Sequence, residues 1–108
     1  MTQPNRFMES TYKIIWTDEA LTNLTDIIDY LEHRWTEREI KNFAKLLDRQ
    51  INMIQANPEL FPTSPTSNRL RKSVLSKQTT IYYRVDNDEI RIVTLFDNRQ
   101  SPKRLKNK

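Results

Sequence analysis

Two clusters of basic side chains stand out in this sequence. Arg69, Arg71 and Lys72 fall within four positions, and Arg99, Lys103 and Arg104 follow near the end. Guanidinium and ammonium groups at that density suit a polyanion, either the phosphates of RNA or DNA or the carboxylates of an acidic protein segment. The residues with another use for their charge are Arg69, Arg71 and Lys72, which also protect a sheet edge from self-pairing, and Arg99, which Asp97 two positions earlier can pair. Proton transfer has few candidates. Tyr82 and Tyr83 are phenols with an ordinary pKa near ~10, poor bases unless shifted. His33 is the single histidine and lies far in sequence from the basic clusters. It reads as a surface or cap residue. Asp26, Asp29 and Glu32 read as the solvated side of a helix, because nothing pairs them into a metal or glycosidase site.

Composition excludes much other chemistry. The chain of 108 residues has no cysteine and no glycine. Without cysteine there are no disulfides, thiolate zinc sites, iron–sulfur clusters or cysteine nucleophiles. Without glycine there is no phosphate-cradling loop of the dinucleotide or P-loop kind. No metal or organic cofactor is implied. No apolar run approaches the ~20 residues of a membrane span, and the first residues resemble no secretory signal. The expected compartment is therefore the cytoplasm. Net charge is +4, divided unevenly, with −3 over residues 1–68 and +7 over residues 69–108. The basic second half points to an acidic partner surface.

The elements that must position these residues follow from periodicity. Residues 1–10 read as a loose leader, and 11–108 as one domain with a basic C-terminal tail. Tyr12–Trp16 is short, β-branched and aromatic, and predicts a strand. Thr17 is an N-cap before Asp18 and Glu19, which suit the positive first turn of a helix. Ala20, Leu21, Leu24, Ile27, Ile28, Leu31 and Trp35 then recur at helical steps. Thr36-Glu37-Arg38-Glu39 is a capping box that opens a second helix, with Trp35 and Ile40 placed as a hydrophobic staple. Its stripe runs through Phe43, Ala44, Leu47, Ile51 and Ile54 until Asn57-Pro58 stops it. Residues 57–68, with three prolines, predict a loop. Three strands follow, over Leu70–Leu75, Thr79–Val85 and Ile90–Phe96. Asp86-Asn87-Asp88 is the turn between the last two, and Asn87 is its best residue for positive φ. The expected fold is α+β with the order β-α-α-β-β-β, a helical hairpin packed on a mainly antiparallel four-stranded sheet. Trp16, Leu24, Ile28, Leu31, Phe43, Leu47, Ile81, Tyr83, Ile92 and Leu95 form the expected core.

Trp16-Thr17-Asp18-Glu19-Ala20, Ile28-Asp29-Tyr30-Leu31, Asn57-Pro58, Phe61-Pro62, Ile81-Tyr82-Tyr83-Arg84-Val85 and Phe96-Asp97-Asn98-Arg99-Gln100-Ser101-Pro102 occur in the order and spacing of one family. Over residues 12–105 the chain resembles the RelE/ParE superfamily of toxins from bacterial type II toxin–antitoxin systems. The resemblance implies a cytoplasmic toxin of the plasmid-stabilisation kind, silenced by a cognate antitoxin. It implies one of two targets: DNA gyrase, inhibited by binding, or ribosome-bound mRNA, cut without a metal. Metal-free cutting needs a proton acceptor, a donor to the leaving oxygen and cations around the phosphorane. Arg71 and Arg99 match two cations of the nuclease pattern. Its central-strand arginine falls on Thr80 and its C-terminal tyrosine on Leu105. The binding mode is therefore favoured. The nuclease, or a non-toxic interaction module of the same fold, is the alternative. In each case Arg69, Arg71, Lys72, Arg99, Lys103 and Arg104 are the residues expected to meet the target or the antitoxin.

Overall fold

The computed structural model describes residues 12–97. Strand β1 (Lys13–Trp16) leads into helix α1 (Asp18–Arg34), and helix α2 (Glu37–Ala56) follows after two residues. Strands β2 (Thr63–Ser64), β3 (Ser67–Val74), β4 (Thr79–Asp86) and β5 (Glu89–Asp97) complete the chain. They form one sheet in the order β1-β5-β4-β3-β2. β1 runs parallel to β5, and every other pair is antiparallel.

The sheet thus has five strands where the sequence predicts four. The additional strand lies within the expected loop, where Thr63 pairs with Arg71 and Ser64 with Ser67. Two residues flanked by prolines carry no alternation, so only the neighbouring strand reveals them. Strand β3 also begins earlier than its apolar pattern suggests, at Ser67.

Local chemistry sets the helix boundaries. The Thr17 hydroxyl accepts the Ala20 amide at 3.1 Å as N-cap. It also donates to the sheet, to the Val93 carbonyl at 2.8 Å. One side chain therefore starts α1 and fastens it to β5. Thr36 and Glu39 form the capping box of α2, with the Thr36 amide donating to the Glu39 carboxylate at 3.1 Å. The Thr36 hydroxyl donates to the same carboxylate and holds the Glu39 pKa below the ordinary value of 4.5. A carboxyl depressed on folding contributes stability above its unfolded pKa, and that contribution is lost as pH falls through the folded value. Glu39→Gln is accordingly expected to lessen the fall in melting temperature on acidification below about pH 4.5, as read from melts across an acid pH series.

The helices cover one face of the sheet. There Ile81, Tyr83, Ile90, Ile92 and Leu95 pack with Ala20, Leu47, Ile54 and Leu75. Expected core residues on β4 and β5 and Leu47 are buried, whereas Leu24, Ile28, Leu31, Phe43 and Trp16 are half-buried. Trp35, the last member of the expected stripe, is 55% exposed at the hairpin bend. Its amide closes α1 on the Leu31 carbonyl at 2.7 Å, so its backbone is fixed while its ring stays outside the core. Leu70, Tyr82 and Phe96 form a smaller cluster on the helix-free face, with Val93 against it. Val93 reaches this cluster through a bulge, since Tyr82 pairs with Thr94 and Tyr83 with Ile92, leaving Val93 without an opposite residue.

The β4–β5 turn matches expectation. Asp86 pairs with Glu89, and Asn87 has φ 54°. A β-branched residue is poorly tolerated there. Asn87→Val is expected to cost about 1–2 kcal/mol, and Asn87→Gly to leave stability unchanged or slightly raised, as measured by urea denaturation.

Candidate functional site

Strand alternation decides what the basic cluster can do together. Arg71 lies opposite Tyr83, on the helix side, and Lys72 lies opposite Tyr82, on the other face. Arg69 is exposed and lies two residues before Arg71, where the register between β2 and β3 shifts. The three cations expected to act as one patch are therefore divided between two surfaces. Arg99, Lys103 and Arg104 lie outside the described residues.

Arg71 is tied to its own chain. Its Nη1 donates to the Phe61 carbonyl at 2.7 Å and to the Glu59 carbonyl at 3.4 Å. The Tyr83 hydroxyl donates to the Pro58 carbonyl at 2.5 Å, and the Phe61 ring meets the Tyr83 ring edge-on at 6.4 Å. Together they hold the proline-rich loop against the sheet. Burial pushes the Tyr83 phenol up to about 12, against the opposing pull of the Arg71 guanidinium. Burial also raises Tyr82, which packs edge-on against Phe96 on the other face. Both phenols stay protonated at neutral pH. His33 is exposed in the last turn of α1, with Nδ1 2.7 Å from the Asp29 carbonyl. It reads as a helix-end residue, as expected. Thr80, where the resemblance to the nuclease pattern leads one to expect an arginine, is buried opposite Phe96.

The helix-free face gathers a different set of cations. Arg84 lies opposite Arg91, and both share the face of Lys72. Asp86 accepts from Arg84 at 2.8 Å and lies 3.5 Å from Arg91, whose Nη2 donates to Glu89 at 2.9 Å. The two carboxylates offset the repulsion of the facing arginines. Sequence reasoning missed this cluster. Its signal was there in the two-residue spacing of Tyr82, Arg84 and Asp86 and in the register imposed by a tight turn at Asn87.

A second feature is a groove between the helical hairpin and the ends of β4 and β5. It encloses about 670 Å³ and is lined by both helices, by Ser76 and Gln78 of the β3–β4 turn and by Leu95 to Asp97. At its side, Asn23 of α1 accepts from the Thr94 hydroxyl at 2.7 Å and the Leu95 amide at 3.0 Å, closing the edge of β5 beyond the end of β1. Among the described residues, no group of three or more His, Asp or Glu side chains is placed to hold a metal ion. No helix among them is long and apolar enough to cross a membrane.

The fold is shared with known toxins. A chain of the chromosomal ParDE system from P. aeruginosa superposes with a TM-score of 0.69 at 18% identity, covering 81% of this chain and 96% of that one. A chain of the heterotetrameric YoeB–YefM toxin–antitoxin complex from Staphylococcus aureus gives 0.53 at 15% identity, over 79% and 94%. A YafQ mutant from E. coli gives 0.51 at 11% identity, over 82% and 94%. At these identities the likeness establishes the architecture alone. No curated protein matches the chain. The sequence itself is more specific, because residues 14–102 match the family described as the ParE toxin of the type II toxin–antitoxin system parDE. That match runs from β1 through the whole described sheet, and on it the chain belongs to the ParE toxin family of type II toxin–antitoxin systems.

Proposed function

We propose that this toxin acts by binding its target, DNA gyrase being the first candidate, and that a cognate antitoxin silences it by covering its surface. The observation that carries this reading is the state of Tyr83. The phenol beside the basic strand is buried, bonded to the Pro58 carbonyl and pushed to about 12, so it supplies no base for RNA cleavage. Arg71, the cation expected to steady a phosphorane, is bonded to loop carbonyls. Lys72 lies on the far side of the sheet from it. These placements favour a surface that binds over a centre that cuts.

For the antitoxin, two sets of residues on the helix side are proposed as contacts. Leu46 and Met53 are 36% and 45% exposed. They share one side of α2 with Gln50, whose amide bonds Ser73 and so places that side along β3. An amphipathic segment laid there meets apolar anchors on α2 and Arg69 on β3. Such a segment is expected to order on binding. Lysates of cells carrying toxin–antitoxin complexes are not needed to test the target. Purified protein, added separately to a gyrase supercoiling assay and to a translating ribosome assay, is expected to alter supercoiling and leave mRNA intact. Site-specific mRNA cuts that Arg99→Ala abolishes would restore the nuclease reading. Activity in neither assay would favour the non-toxic interaction module.

A further inference from the structure

The groove between the hairpin and the sheet has an apolar floor, formed by Ile27, Leu31, Phe43 and Leu95. Trp35, 55% exposed, stands at its rim. Its charged groups have one sign. Glu19, Asp26, Glu39 and Asp97 line it, and no lysine or arginine does so among the described residues. Such a cleft suits a cationic segment that also carries an aliphatic side chain. The half-burial of Ile27, Leu31 and Phe43 has the same meaning, for these lie on the helices' apolar stripes yet remain partly open along the groove.

The sequence supplies a segment of that chemistry. Asp97, in the groove wall, is the last described residue, so the chain that follows starts at the groove. The next eleven residues hold Arg99, Lys103, Arg104, Lys106 and Lys108, no acidic side chain, and one aliphatic, Leu105. Extended, eleven residues reach about 35 Å, whereas a helix of the length of α1 measures about 25 Å. The segment is long enough to run the whole groove.

We propose that residues 98–108 dock in this groove, with Leu105 on the apolar floor and the basic side chains along the acidic rim. Tethering makes the contact intramolecular, at an effective concentration in the millimolar range for a short linker, so modest contacts suffice to fill the site. The attraction between exposed charges falls as salt shortens the Debye length.

The absence of cysteine makes a direct test clean. A nitroxide attached to Lys106→Cys in the full chain, labelled with nitrogen-15, is expected to erase the amide peaks of Leu31, Phe43 and Leu46. The peaks of Val85 and Ile90, in the hairpin at the other end of β4 and β5, should remain. Asp26→Lys and high salt should each restore part of the lost intensity. Sharp groove peaks in the labelled protein, or losses centred on Arg69 to Lys72, would overturn the proposal. A mixture with the nitroxide and nitrogen-15 on different molecules should stay sharp. Losses in that mixture would assign the groove to a second copy and overturn it as well.

Discussion

Tyr83→Ala is expected to destabilise the protein by about 3–5 kcal/mol, the range for truncating a large buried aromatic. Tyr83 is fully buried at the centre of the sheet, against Ile81, Ile92 and the Phe61 ring. The substitution opens a cavity and releases the proline-rich loop together. Tyr83→Phe separates the two effects. It keeps the ring and removes only the donor to Pro58, leaving a carbonyl unsatisfied, at about 1–3 kcal/mol. Urea denaturation of both variants measures the difference. If Tyr83→Phe costs as much as Tyr83→Ala, the hydroxyl and not the packing holds the loop. The Phe variant also isolates the mechanism, since a phenol acting as a base would take toxicity with it, whereas a binding toxin keeps its activity as long as it folds.

The second large effect concerns the antitoxin. Reversing the charge of Arg69 is expected to slow association about tenfold at low salt, because an exposed charge facing an oppositely charged partner acts mainly on the encounter. The effect should shrink as salt is raised. Lys72→Glu serves as the internal control, for it changes charge by the same amount on the other face of the sheet. Leu46→Ala combined with Met53→Ala should act on the other rate, raising dissociation about tenfold through lost apolar anchors. Surface plasmon resonance with the cognate antitoxin reads both. Equal slowing by the Arg69 and Lys72 changes would indicate a general field effect and remove the helix-side placement. Arg71 is left intact in this series because its guanidinium holds the Phe61 carbonyl, so its loss would confuse folding with binding.

Where one residue type does one local job, the sequence was legible. Thr17 as a cap, the Thr36–Glu39 box, the stop at Asn57-Pro58 and the left-handed turn at Asn87 all depend on near neighbours in the chain, and the structure has each of them. Strand β2 was hidden because its only partner is another strand. Trp35 was misplaced for a related reason. Helical spacing put it on the apolar stripe, but α1 ends one residue earlier, and the extended backbone at Trp35 turns the stripe's last member away from the core. The candidate site was legible in composition and not in arrangement. Arg71 and Lys72 are adjacent in sequence, and adjacency on a strand puts them on opposite faces. The Arg84–Asp86–Arg91–Glu89 cluster needed the hairpin register before its members could be seen as neighbours.

The position of β5 governs how this protein can be made. It is the last strand of the described fold, yet it lies between β1 and β4. The hydrogen bonds fastening α1 to the sheet, from Thr17 to Val93 and from Leu95 to Asn23, span more than 70 residues. A ribosome that has finished α2 at Ala56 must still add 41 residues to reach Asp97. At about 5–20 residues per second, that takes several seconds. Throughout the interval the amphipathic hairpin lacks the complete sheet on which to lay its apolar side. A chain cut short just before β5 holds both helices and four of the five strands of the described fold, but its core lacks Ile90, Ile92 and Leu95. The complete core is therefore available only after the last strand of the described fold has been made, so folding is expected to finish late in synthesis.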